Sequence, residues 1–259
     1  MKNIIYYFTG SGNTLAIAKD IAKVIKDTKL VRITKKNEKG LDASGYERVG
    51  FVFPVYFSGI PTMVWKFVKN IEISDDSYIY AIGNYGDKID LGFHQIEKLL
   101  KKKDKNLNGS FGITMPGNYQ ILHDLDSPEK MAKKLEDEKL LAHEIGKKIM
   151  DKEATKVEGV AATTAIKGSI IYSFFKPYKM DRNFWANDKC NSCGLCKKIC
   201  PAQNITMVAS RPKWNHQCEQ CLSCMHFCPK LAIQYRRGTM KRGRYRHPEV
   251  AAKELIIKR

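Results

Sequence analysis

Residues 190–201 read CNSCGLCKKICP and residues 218–229 read CEQCLSCMHFCP. All eight cysteines of the 259-residue chain lie in these two runs. The first, Cys190, Cys193, Cys196, Cys200 and Pro201, is repeated without a slip as Cys218, Cys221, Cys224, Cys228 and Pro229. CxxCxxC gathers three thiolates on one tight loop, so that their sulfurs converge on three corners of a single inorganic cube. The fourth cysteine begins a helical turn that points away. The proline after it, with a fixed φ and no N–H, ends the loop. Structural zinc is the competing reading of CxxC pairs, but zinc takes four ligands as two separated pairs rather than three equally spaced cysteines plus a fourth. Disulfides fit neither the spacing nor a reducing cytosol.

Residues 185–235 resemble a 2[4Fe-4S] ferredoxin domain. The resemblance implies that the runs exchange their fourth ligands. Cys190, Cys193, Cys196 and Cys228 would then hold one cluster, and Cys218, Cys221, Cys224 and Cys200 the other. Both halves end alike, in strand-like residues 204–207 and 232–235 that are expected to pair around the clusters.

The amino-terminal half carries a second signal. Residues 2–8, KNIIYYF, form a continuous apolar run of the kind a strand buried on both faces requires. TGSGNT follows at residues 9–14, and then a helical pattern sets Leu15, Ile17, Ala18, Ile21, Ala22 and Ile25 against Lys19, Asp20, Lys23 and Lys26. Strand, glycine and hydroxyl loop, and helix N-terminus together make an anion site. It is not a P-loop, since the Gly-Lys-Ser/Thr ending is absent, and the dinucleotide GxGxxG fails at Leu15. TGSGNT resembles the FMN-phosphate loop of flavodoxins. That resemblance makes Thr9, Ser11, Asn13 and Thr14 side-chain donors and has Gly10 and Gly12 let the backbone approach the phosphate.

Further strands are predicted over residues 30–33, 48–53, 78–82 and 110–115, with helices over 61–69, 91–103 and 128–152. Such alternation argues an α/β, doubly wound parallel sheet. The flavodoxin-like, five-stranded order 2-1-3-4-5 that the resemblance implies places the ligand outside the carboxyl ends of strands one, three and four. Those ends carry Pro54, Tyr56, Phe57, Ser58 and Gly59, and then Asn84, Tyr85, Gly86 and Asp87. Aromatic, glycine-bearing loops suit a flat isoalloxazine. Tyr56 or Phe57, together with Tyr85, are the expected stacking rings, and Tyr119 is expected in a third wall over residues 115–119.

Length and 43% apolar content support two domains. They are expected as a flavodoxin-like FMN-binding domain at 1–153, a connector at 154–184 packed against one domain, a two-cluster ferredoxin α+β domain at 185–236, and a basic tail at 237–259. The tail reads as irregular over 238–248, with a short helix over 249–257. The N-terminus does not read as a signal peptide, and no stretch reaches about 18 uninterrupted apolar residues. A cytoplasmic protein without membrane insertion is therefore expected.

The net charge of +18 is unevenly spread. Residues 1–153 hold 25 Lys+Arg against 21 Asp+Glu, a net +4, and residues 154–259 hold 20 against 6, a net +14. Arg236, Arg237, Lys241, Arg242, Arg244 and Arg246 form a positive strip past the second run, expected to dock an acidic redox partner protein. Nucleic acid is not the expected partner, because no reading helix or aromatic platform accompanies the charge. The histidines show no ligand spacing, so surface or packing roles are expected of them, with a hydrogen bond from His226, inside the second run, to a sulfur as the alternative.

Both halves together resemble the flavodoxin and ferredoxin fusion proteins of anaerobes, the EFR-type ferredoxins, although the acidity usual in separate flavodoxins and ferredoxins is reversed here. The resemblance implies an electron carrier with FMN and two [4Fe-4S] clusters. Clusters move one electron, whereas FMN holds one or two. The alternative is a flavin-dependent reductase of a small-molecule substrate fed by the clusters, with an oligomer left open.

Overall fold

The computed structural model describes residues 2–86, 88–157 and 162–257. Its first half alternates β1 (Asn3–Tyr7), α1 (Asn13–Ile25), β2 (Thr28–Arg32), β3 (Arg48–Pro54), α2 (Thr62–Asn70), β4 (Tyr78–Tyr85), α3 (Gly92–Lys101), β5 (Gly109–Thr114) and α4 (Pro128–Met150). The strands are parallel, in the order β2-β1-β3-β4-β5. Along β1, Ile4 and Tyr6 point into the layer that holds Phe67 of α2 and Leu100 of α3, while Ile5 and Tyr7 point into the layer of α1 and α4. With both faces covered, every residue of β1 is buried, which is why the run reads as apolar throughout. The strand order reverses beside β1, so a crevice opens at the carboxyl edge there. β4 runs on past the predicted end at residue 82, because Gly83 and Asn84 pair with Phe53 and Pro54.

α4 begins where Ser127 accepts a hydrogen bond from Lys130 N (3.3 Å), with Pro128 in the first turn. It ends where the Arg48 guanidinium donates to Ile149 O (3.1 Å) and Met150 O (2.9 Å). Glu138 lies on its buried face, with both carboxylate oxygens unpartnered. Burial, reinforced by Asp20, pushes its pKa up to about 8 from 4.5. An acid whose folded pKa is raised stabilises the fold below its unfolded value and loses that contribution as pH climbs through the folded one. Glu138→Gln should therefore flatten the loss of stability between pH 4.5 and 8 relative to the parent chain. The expected difference, read by urea unfolding at each pH, is at most on the order of 5 kcal/mol.

In the second half α5 (Ala162–Phe174) and α6 (Pro177–Met180) lead to β6 (Phe184–Ala186), followed by α7 (Leu195–Ile199), β7 (Ile205–Val208), β8 (Arg211–Trp214), α8 (Ser223–His226) and β9 (Ile233–Tyr235). The two strand-like runs do not pair with each other: β7 pairs with β8, and β9 with β6, all antiparallel. Phe184 stacks on Trp214 at 5.4 Å and meets Tyr235 edge-on at 4.9 Å, forming a small aromatic core.

That core is continuous with the larger one. Phe184, Trp214 and Met225 belong to the same buried cluster as Phe51 and Phe67, and Phe227 joins the layer of α1. Past α5's start, one side of the segment is held where Tyr172 donates to Ile60 O (2.7 Å) and Phe175 packs inward. On the other side Ile166, Ile170, Ile171 and Phe174 face solvent.

The tail departs most from expectation. Instead of a terminal helix there is one 3₁₀ turn, Ala252–Leu255, and the segment is strapped down. Val250 and Leu255 are buried against α1. Arg32 donates to Leu255 O and to Ile199 O, and Ile257 N donates to Lys198 O (3.0 Å). Glu249 and Glu254 pair with Lys139 and Lys19. A short segment without its own periodicity gains order only through such distant partners.

Candidate functional site

At the carboxyl edge of the sheet lies a cavity of about 440 Å³. Its walls come from three loops. Pro54, Tyr56 and Phe57 follow β3, Asn84, Tyr85 and Gly86 end β4, and residues 115–119, including Tyr119, follow β5. Asn13 closes one end. The fourth expected residue of the β4 loop, Asp87, lies outside the described residues. Ser58 and Gly59 do not line the cavity but build the turn that presents Phe57. Tyr56 and Gly59 exchange backbone hydrogen bonds of 2.8 and 3.0 Å, and Phe57 (φ 49°) and Ser58 (φ 69°) between them are both left-handed. Asn-Gly is the usual choice for such a turn, so Phe-Ser stores strain of about 1–3 kcal/mol per residue, as functional loops do. The turn is held from behind by Tyr172, whose ring would lie 2.5 Å from a β-carbon at Gly59.

Phe57 stacks on Phe175 at 4.4 Å and meets Tyr119 edge-on at 5.5 Å. Tyr56, by contrast, packs inward between Phe8 and Phe175, and burial followed by the nearby Cys221 thiol holds its hydroxyl proton firmly. Of the two candidates Phe57 is therefore the ring the loop displays. Tyr85 is a wall beside it.

Thr9, Gly10, Ser11, Gly12, Asn13 and Thr14 are all buried. Thr9 Oγ1 accepts from Gly12 N (3.2 Å), Ser11 Oγ from Asn118 Nδ2 (2.7 Å) and Thr14 Oγ1 from Asn84 Nδ2 (2.9 Å). Each hydroxyl thus keeps its own O–H to donate, and the first N–H groups of α1 have no intrahelical acceptor. These are the donors a phosphate monoester needs, so the loop fits FMN. Asn13 differs from expectation, because both ends of its amide serve the protein: Nδ2 donates to Pro116 O (3.3 Å) and Oδ1 accepts from Tyr245 (2.7 Å). The glycines differ as well. The close approach at Gly10 is made by the Cys221 carbonyl, and at Gly12 by His247 and Val250 of the tail. Protein, not ligand, occupies that side of the loop.

The cysteines sort into two groups. Burial pushes the Cys196 thiol up to about 11, and the thiols that push it further are Cys228, Cys193 and Cys190. Burial raises Cys224 strongly, and its pushing neighbours are Cys200, Cys218 and Cys221, ahead of Cys196. Each set of neighbours thus includes a cysteine of the other run, Cys228 beside Cys196 and Cys200 beside Cys224. Among the described residues no three Cys, His, Asp or Glu groups converge on the position of a single metal ion. Backbone N–H groups already aim at the sulfurs: Asn204 at Cys200 (3.4 Å), Gln220 at Cys218 (3.2 Å) and Ala232 at Cys228 (3.3 Å). Such donors hold an anionic cluster, so the set fits iron cubes.

The groups are unequal in exposure. Cys193 of the first faces solvent, whereas Cys200 and Cys224 of the second are buried, with Cys221 O against Gly10. Arg32 lies half-buried in the same region. It donates to Thr9 O (3.3 Å), and Cys221 and Cys200 are among the groups that counter the lowering of its pKa by burial. Nothing in the sequence around Arg32 marks it as the counter-charge to the inner group.

His226 takes the packing role expected of the histidines rather than the alternative at sulfur, and the expectation of a positive strip is corrected in part. His226 makes no bond to sulfur: Tyr245 N donates to its Nδ1 (3.3 Å), so the ring proton sits on Nε2 and donates to Asn118 O (2.9 Å). Burial depresses its pKa to about 4. His226 therefore pins the second cysteine run to the cavity's third wall. Nor is the positive strip uniform. Arg242 donates to Gln120 O (2.8 Å) and Ile121 O (2.6 Å), and Arg244 to Ile233 O (3.1 Å) and Gln234 Oε1 (2.8 Å), so both are structural. Arg236, Arg237, Lys241 and Arg246 remain exposed. His123, Lys130, Phe175 and Gln220 also line the cavity. His123, Lys130 and Phe175 come from segments with no motif and Gln220 from between two cysteines, and only the folded chain brings them there.

An α/β crevice with a hydroxyl loop, joined to paired cysteine runs, defines a flavoprotein that carries its own iron–sulfur module. Residues 4–118 match the flavodoxin domain family and residues 189–241 the 4Fe-4S dicluster domain family. The chain is a flavodoxin–ferredoxin fusion, an electron-transfer flavo-iron-sulfur protein. The first domain implies FMN and the second [4Fe-4S] clusters. Nothing among curated proteins matches the chain. Among solved structures, azoreductase from Bacillus anthracis is 9% identical over 57% of this chain and 100% of its own, with a TM-score of 0.41. Megasphaera elsdenii flavodoxin is 15% identical over 56% and 98%, with a TM-score of 0.38. A flavodoxin from the domain Archaea is 17% identical over 57% and 99%, with a TM-score of 0.33. Among the described residues no helix is long and apolar enough to cross a membrane.

Proposed function

We propose that the protein passes single electrons between an external redox partner and FMN through two [4Fe-4S] clusters in series. Cys190, Cys193, Cys196 and Cys228 hold the outer cluster, and Cys218, Cys221, Cys224 and Cys200 the inner one. When bound, clusters supply one-electron steps and the flavin one- or two-electron chemistry. Thr9, Ser11 and Thr14 donate to the phosphate, and Phe57, Tyr85 and Tyr119 wall the ring. The observation that carries this reading is the gradient of exposure: Cys193 at the surface, Cys200 and Cys224 buried, and Cys221 O against Gly10 of the hydroxyl loop. Exposed Arg236, Arg237, Lys241 and Arg246 favour an acidic donor or acceptor protein. Anaerobic purification should yield a brown protein whose iron and acid-labile sulfide match two clusters and whose flavin matches one per chain. Zinc in place of iron, or no flavin after incubation with FMN, would refute it.

A second reading, a reductase of a small substrate at the flavin, draws support from His123 and Lys130 at the cavity wall, both able to donate a proton there. A flavin-equivalent turnover that falls severalfold in His123→Ala, with cluster reduction unchanged, would favour it. No change would leave the carrier alone.

A further inference from the structure

The second cysteine run places an amide in the flavin cavity. Gln220 sits between Cys218 and Cys221 and is only 1% exposed. Neither Nε2 nor Oε1 has a hydrogen-bond partner, and the side chain lines the cavity shared by Phe57, Asn84 and Tyr119. Its backbone N–H, meanwhile, points at Cys218 Sγ (3.2 Å). A buried amide without partners is costly, and a chain keeps one where a bound group satisfies it. The duplication supplies an internal comparison. Ser192 holds the corresponding place in the first run with the same left-handed backbone, φ 61° against 54° for Gln220. Yet Ser192 is exposed and bonds only Ser210 O (2.6 Å). The cluster loop therefore needs the backbone shape at this position and not a glutamine.

The geometry points to Gln220 as a flavin ligand contributed by the iron–sulfur module, so that the FMN site is completed by the cysteine run rather than by the flavodoxin domain alone. This rests on the FMN reading above. An isoalloxazine presents acceptors and an N–H on one polar edge, and a primary amide answers with two donors and one acceptor. One residue then touches an inner-cluster sulfur through its backbone and the flavin through its side chain.

Gln220→Ser, which installs the residue the first run already uses, and Gln220→Met, which keeps length without polarity, test this in the full chain. The readouts are iron and sulfide content, FMN affinity by fluorescence titration, and the visible spectrum of the bound flavin. Both variants are expected to keep their iron, to bind FMN about tenfold more weakly, and to shift the flavin bands. Affinity and bands like those of the parent chain in both variants would overturn the proposal, and so would loss of iron in step with flavin, which would mark a role in the loop's fold. Absence of FMN binding by the parent chain would instead remove the FMN reading itself.

Discussion

Replacing Cys200 and Cys218 together is expected to cost the protein no more iron than replacing either one alone. Both belong to the buried group in which Cys224 feels Cys200, Cys218 and Cys221, so Cys200→Ala with Cys218→Ala damages one cluster twice and leaves the other. Roughly half the iron and sulfide should survive. Cys193→Ala with Cys200→Ala takes one residue from each group, although both lie in the first run, and should strip nearly all of it. Without the exchange of fourth ligands the two outcomes would trade places, because Cys193 and Cys200 would then serve the same cube. Iron and sulfide assays on the two double variants separate the alternatives without needing activity. The residual cluster should also differ in access. In the first pair it is the one with exposed Cys193, and a chelator should remove it faster than it removes iron from the parent's inner site.

Gly10→Ala is expected to loosen the two modules at once. A β-carbon there would fall inside the van der Waals surface of Cys221 O, which is backbone and cannot swing aside. Relief requires the hydroxyl loop and the second cysteine run to part, at about 3 kcal/mol, the upper end for overpacking. Denaturant unfolding followed separately by cluster and flavin absorbance should show both midpoints lowered, with FMN bound more weakly because the loop's donors have moved. Gly45→Ala is the control, since nothing lies within 4 Å of a β-carbon at that exposed site. Equal behaviour of the two variants would mean that the contact at Gly10 is not what joins the halves.

Periodicity and spacing revealed the alternating strands and helices and the cysteine runs, because each is a local pattern: β1 is apolar since both its faces are covered, and CxxCxxC repeats since each run must wrap a cube. The strand order came only with the flavodoxin resemblance of TGSGNT, since pairing between distant strands leaves no local mark. The junction between the modules was not legible in this way. Tyr245 reaches Asn13 and His247 N reaches Ser11 O (2.9 Å), contacts between chain positions more than two hundred residues apart that impose no pattern on either. Arg242 and Arg244 read as surface charge because composition does not distinguish a solvated guanidinium from one that satisfies carbonyl groups. Gln220 was hidden inside a motif whose intervening residues look free to vary. His226 was noticed for its position, but its two ring nitrogens are spent on Tyr245 N and Asn118 O, which only the fold reveals.

The most direct test of the whole account follows an electron inside one molecule. Anaerobic protein loaded with iron, sulfide and FMN is given a limiting pulse of a one-electron reductant, and cluster and flavin absorbance are recorded as they relax toward each other at several protein concentrations. With the buried cysteine group pressed against the hydroxyl loop, the relaxation should run at one rate regardless of concentration. A rate that climbs in proportion to protein concentration, or clusters that stay reduced beside an oxidised flavin of higher potential, would contradict the claim that this chain is a wire with the flavin at its inner end.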